Sequence, residues 1–193
     1  VIESPRWWTI VHLVLWQVSW WVAVLGAAKG LFWAGPLAAV AIIAAQAAVL
    51  RRDLILTTIP AVGAAALGAV LDTLLAGVGA FRMAGGGAGG IVAAPWMMSL
   101  WAVLMTALPC SLRWLRGRPW LAAGFGAVGG PAAYAGGLAL GALTPGSLPF
   151  AAALALVGVA WFVAMPVLLA IDRFLQPAPG GETGPAGPGC DHA

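Results

Sequence analysis

The sequence predicts an all-α polytopic membrane protein, a compact bundle of six transmembrane helices, and three observations predict it. Hydrophobic residues make up 62% of the 193 positions and charged residues only 8%, against about 25% charged in ordinary soluble domains. With a mean hydropathy of +0.98, such a chain cannot cover itself with polar surface in water. Apolar runs follow one another with only short charged punctuation between them, each long enough to span a bilayer at about 20 residues per crossing. None of these runs alternates polar with apolar residues as a barrel strand does. Each must therefore satisfy its backbone within itself, as a helix.

The runs place helices at 8–28, 31–50, 55–81, 91–112, 120–143 and 148–171. Residues 1–175 read as one transmembrane domain, and the Pro/Gly-rich stretch 176–193 as a disordered tail. The chain opens on Val1, which fits an alternative start codon or a missing leader, and its first apolar run is too long for the core of a cleavable signal peptide. In the third run Pro60 reads as a first-turn residue, and Asp72 is the single acidic side chain. The glycine run 85–90 contains G-x-G-x-x-G, but no strand precedes it, so a flexible loop is expected. The fifth run carries Gly129, Ala133, Gly137 and Gly141 at every fourth residue, with Gly126 and Gly130 as a second small pair. Small residues let backbones approach closely, which predicts that this helix is central and the most enclosed. Pro131 within it and Pro166 in the sixth run predict local kinks.

Cations set the orientation. With the N-terminus in the cytoplasm, Arg6, Arg51, Arg52, Arg113, Arg116, Arg118 and Arg173 lie inside, and only Lys29 and Arg82 lie outside. Both termini are then cytoplasmic, and the protein is a multi-pass one. The net charge of +3 reports topology rather than nucleic-acid binding. Arg113, Arg116 and Arg118, flanked by Trp114 and Trp120, suit anionic lipid headgroups as partners. Of the tryptophans, Trp7, Trp8, Trp33, Trp96, Trp114 and Trp120 fall near helix ends as an interfacial belt requires, whereas Trp16, Trp20, Trp101 and Trp161 lie deeper, where an indole N–H wants an acceptor. Cys110 and Cys190 read as free thiols, and no spacing of Cys, His or carboxylates points to a metal or a cofactor.

A carboxylate near the bilayer centre costs about 2.5–3.5 kcal/mol on insertion scales, so Asp72 needs a partner, a proton or a purpose. Centring each helix on its run puts Asp72, Gln17, Ser99 and Tyr134 within about two turns of the midplane. This is the first candidate polar site, with a neutral Asp72 donating to Gln17 or Tyr134. A second candidate layer, His12, Gln46 and Thr106, falls in the cytoplasmic half.

Particular stretches resemble a known family. Leu15-Trp16-Gln17, Ala94-Pro95-Trp96-Met97-Met98-Ser99, Thr106-Ala107-Leu108 with Ser111, and Gly130-Pro131-Ala132-Ala133-Tyr134 are similar to the bacterial inner-membrane family catalogued as domain of unknown function 2878. His12 stands where that family favours asparagine, and Gln46 where histidine is common, which suggests that the two touch. The resemblance implies fold and location, with no assigned activity. Family genes often neighbour lipid-modification genes, which favours a lipid-linked role.

Three readings follow. The leading one is a non-catalytic accessory component of a membrane-lipid-modification system, with lipid-modifying enzymes as partners. The second is a small transporter or lipid flippase with Asp72 in a polar pathway. The third is a membrane-embedded lipid-modifying enzyme, the weakest because the sequence pairs no nucleophile with a base.

Overall fold

A computed structural model describes residues 6–51 and 53–175. The expected tail at 176–193, Cys190 and Arg52 lie outside the described residues. The described residues form six helices of 13 residues or more: α1 Arg6–Ala28, α2 Ala34–Val49, α3 Leu54–Gly77, α4 Pro95–Ala107, α5 Pro119–Ala139 and α6 Phe150–Phe174. Three of them, α1, α3 and α6, are long and apolar enough to cross a membrane. Large apolar side chains stand exposed along the outside, among them Leu37, Val62, Val70, Val128 and Val159. In water so extensive an apolar surface would be an aggregation liability, whereas hydrocarbon is its natural solvent.

Local chemistry explains where the helices begin. Asp53 caps α3, its carboxylate accepting from Ile55 N at 2.7 Å and from Leu56 N at 3.4 Å. Pro95 and Pro119 open α4 and α5, where a missing N–H costs nothing. Because α3 starts at Leu54, Pro60 lies inside the helix rather than in its first turn. Pro131 and Pro166 also lie inside helices, as expected.

The fourth expected span, 91–112, is much shorter as a helix. Its 13 residues rise about 20 Å, and the chain then continues through turns and a 3-10 segment, Arg113–Leu115. The third span also stops early, at Gly77. Beyond it, strand β1 (Phe81–Met83) pairs antiparallel with β2 (Leu143–Pro145), Arg82 opposite Thr144. These three-residue strands carry too little alternation to be seen in sequence. Gly79, at φ +87°, makes the turn into β1, and its carbonyl accepts from Leu148 N at 2.9 Å. The glycine run 85–90 is a shaped turn rather than a loose loop: a Cβ at Gly90 would stand 2.9 Å from the Met83 carbonyl oxygen.

Packing divides the helices into two groups. α1, α2, α3 and α4 pack on one another, while α5 packs chiefly on α6. α5 is therefore one arm of a helix pair and not the most enclosed helix. Gly126 and Gly130 make that pair close, since a Cβ at Gly126 would lie 2.7 Å from Met165 Cγ and one at Gly130 2.6 Å from Trp161 Cδ1. The expected stripe divides differently. Gly129 has open space where a Cβ would stand, and Gly141, at φ +81°, is exposed just past the end of the helix. The β1–β2 ribbon and contacts between α3 and α6 join the two groups.

Candidate functional site

Asp72 is fully buried where the two groups meet. Trp101, on α4, donates its indole N–H to Oδ2 at 2.9 Å, and Tyr134, on α5, donates its hydroxyl to Oδ1. Both carboxyl oxygens are therefore engaged, one by each of these side chains. Trp101 stacks on Trp161 of α6 with centroids 4.5 Å apart, and Tyr134 meets the same indole edge-on. One α3 carboxyl thus fixes an aromatic cluster that spans α4, α5 and α6. Room for the cluster comes from glycine: at Gly68 on α3 a Cβ would overlap the Trp101 indole.

Of the residues placed at this depth from sequence, the structure brings only Tyr134 to Asp72. Ser99 donates to its own helix, at 2.6 Å to the Trp96 carbonyl, and faces Gly35 of α2. Gln17 faces outward and is exposed. Trp101 is the partner that the sequence reading left unassigned, although a deep indole in need of an acceptor was its visible signal.

Beside the cluster lies a cavity of about 130 Å³. Trp16 and Trp20 of α1 form one side, Trp101 and Leu104 of α4 the back, and Gly129, Ala133 and Gly137 of α5 the opposite side. The glycines are what leave the space. Across the cavity the Trp20 indole reaches α5, its Cη2 3.0 Å from where a Cβ on Gly136 would stand. The lining is almost wholly apolar. Trp161 also lines it, its indole against the Tyr134 side chain.

The second layer is a separate cluster, built on α1, α2, α4 and the turn that follows α4. His12, fully buried on α1, contacts Ser111 Oγ through Nδ1 at 2.9 Å and Thr106 Oγ1 through Nε2 at 3.1 Å. The Thr106 hydroxyl already donates to the Val103 carbonyl at 2.7 Å, so it accepts from His12 Nε2–H. That leaves Nδ1 as the acceptor for the Ser111 hydroxyl. Gln46, from α2, lies buried beside the imidazole. His12 and Gln46 therefore do meet. Ser111 was visible in the sequence, but its place in this cluster depends on the turn that follows α4.

The membrane-edge residues also sort themselves. Arg116 is engaged by Asp172 of α6, through Nε at 3.0 Å and Nη2 at 2.8 Å, which ties the 3-10 segment to the end of the helix pair. Arg113 and Arg118 stay exposed. Trp7, Trp33, Trp114 and Trp120 are exposed near helix ends, whereas Trp8 and Trp96 are buried; Trp96 donates to the Ala84 carbonyl at 2.8 Å. Cys110 is buried, and among the described residues no group of His, Cys, Asp or Glu is placed to hold a metal ion.

No curated protein and no solved structure matches the chain. Its apolar helices, with the exposed apolar surface that they share, make it a membrane protein. A family model described as protein of unknown function (DUF2878) matches residues 9–167, and the chain belongs to that family.

Proposed function

We propose that this is a six-span protein of the bacterial inner membrane, with both termini in the cytoplasm, that serves as a non-catalytic accessory component of a membrane-lipid-modification system. Its part is to hold a segment of a lipid's hydrocarbon chain between the two helix groups. The cavity carries this reading. Its size is close to that of engineered apolar cavities that stay dry and take up benzene, so it accepts a chain segment of about six carbons. Aromatic walls suit an alkyl chain.

The surroundings of Asp72 support a structural part for the carboxyl. It is fully buried, both its oxygens are occupied, and the cavity beside its partners is apolar. A polar transport pathway would need water or a substrate at that carboxyl.

Gly129→Leu tests the reading. Open space lies where its Cβ would stand, so the new side chain fills the cavity without displacing the bundle. Gly124→Leu, at an exposed position on the same helix that also has open space, is the control. In a deletion strain complemented with each variant, Gly129→Leu is expected to reproduce the deletion's lipid profile and to abolish cross-linking to a photoreactive acyl lipid. Gly124→Leu is expected to restore both. A lipid profile unchanged by deletion removes the lipid-linked role, and equal cross-linking in the two variants removes the cavity as its site.

A further inference from the structure

Gln17 lies midway along α1 with its side chain exposed, and it makes no hydrogen bond among the described residues. Its surroundings are apolar: Ile10, Val14 and Trp21 on the same face are 66%, 55% and 46% exposed. Every other polar side chain within the six helices, away from their ends, is buried, partly buried or hydrogen-bonded among the described residues. On the outside of a membrane bundle, this amide faces hydrocarbon. A group with two donors and an acceptor has no water there to satisfy it.

We infer that α1 is the dimer interface of this protein, and that Gln17 pairs with Gln17 of a second copy. Three features select a second copy as the occupant. A primary amide is self-complementary, since its N–H groups donate to the acceptor that an identical amide offers. Two copies inserted in the same direction are related by a two-fold axis along the membrane normal, so equal residues meet at equal depth and helices at the axis run parallel. The spacing also fits. Ile10, Val14, Gln17 and Trp21 step by four, three and four residues, which is the seam of a left-handed helix pair, with Gln17 at a d position, where equal residues of two parallel copies face one another.

The opposite side of α1 is already in use. Trp8, His12, Ser19 and Ala23 face the bundle, and Trp16 and Trp20 face the cavity. The dimer therefore forms without opening either site, and this inference does not depend on the proposed function.

The full chain in lipid bilayers, its subunits counted by single-molecule photobleaching and its affinity followed by energy transfer, provides the test. Wild type is expected to dimerise. Gln17→Leu, more apolar and exposed, is expected to raise the dissociation constant by about tenfold through loss of the paired amide bonds. Gln17→Asn keeps an amide and is expected to retain most of the affinity. With Cys110 and Cys190 replaced by alanine, Val14→Cys is expected to cross-link to itself, and Val11→Cys, exposed on another face of α1, is not. A monomeric wild type, a dimer indifferent to Gln17→Leu, or cross-linking through Val11→Cys in preference to Val14→Cys would each overturn the inference.

Discussion

Asp72 and His12 are both fully buried polar side chains on long apolar helices, and each is held by polar side chains of other elements, but these come from different places. His12 is held within one packing unit, by Thr106 of α4, Ser111 of the following turn and Gln46 of α2. Asp72 takes one donor from its own group, Trp101, and the other, Tyr134, from the α5–α6 pair. The first cluster reinforces contacts that apolar packing already makes. The second crosses the boundary where the cavity sits and direct helix packing is sparse. Polar groups in a membrane interior are tolerated where they are paired, and the location of the partner decides whether the pair consolidates a unit or joins two.

The strongest way to break this comparison is Gly68→Ala. The added methyl has no space beside the Trp101 indole, so the ring must leave both Asp72 and its stack on Trp161. Overpacking of this kind costs about 1–3 kcal/mol, and a carboxyl oxygen left without its donor about as much again. We expect a total loss of about 3 kcal/mol in reversible unfolding in detergent micelles. An unfolding midpoint equal to that of wild type would mean that the aromatic cluster contributes nothing.

Tyr134→Phe is smaller and more pointed. It removes only the hydroxyl that crosses between the groups, at an expected cost of about 1–2 kcal/mol. Hydrogen exchange should show where that cost falls, with protection lost along α5 and α6 and kept along α1 and α2. Uniform loss through all six helices would erase the distinction between two groups.

How much of this was legible in the sequence follows from what a membrane helix reveals. Depth was readable, because counting residues at a fixed rise places Asp72 beside Tyr134 and His12 beside Thr106 and Gln46. Facing was not. The helices are apolar on every side, so no stripe marks the inner face, and Gln17 and Ser99 turn away from Asp72. The helical class was legible and helix length was not, since the run 91–112 stays apolar through the turns after Ala107. The β1–β2 ribbon pairs segments 62 residues apart, Arg82 with Thr144, and its strands are shorter than any period they could display. The cavity was half visible: the glycines were conspicuous, but whether a glycine admits a helix or leaves a space depends on the neighbour opposite.

Thr106→Val tests the other side of the comparison. The shape is kept and the buried acceptor of His12 Nε2–H is removed, for an expected loss of about 1 kcal/mol. Exchange should quicken in α1 and α4 and stay unchanged in α5 and α6, the converse of Tyr134→Phe. Faster exchange at α5 would show that the His12 cluster also reaches across the boundary.

Ser111→Ala carries the smallest expected effect and the sharpest chemical question. Ser111 is half-buried near the membrane edge, so the imidazole Nδ1 that loses its donor is close to water, and the cost should approach the average of about 0.6 kcal/mol for polar pairs in membrane proteins. A serine hydroxyl donating to an imidazole that a third side chain orients is also how a nucleophile is activated. The two roles separate on covalent labelling of the intact protein with a fluorophosphonate. A clamp leaves wild type labelled no more than Ser111→Ala, which is the expected result for a non-catalytic protein. Labelling that disappears in Ser111→Ala would make the cluster within one packing unit the reactive site, and leave the Asp72 cluster as the joint that holds the two groups around it.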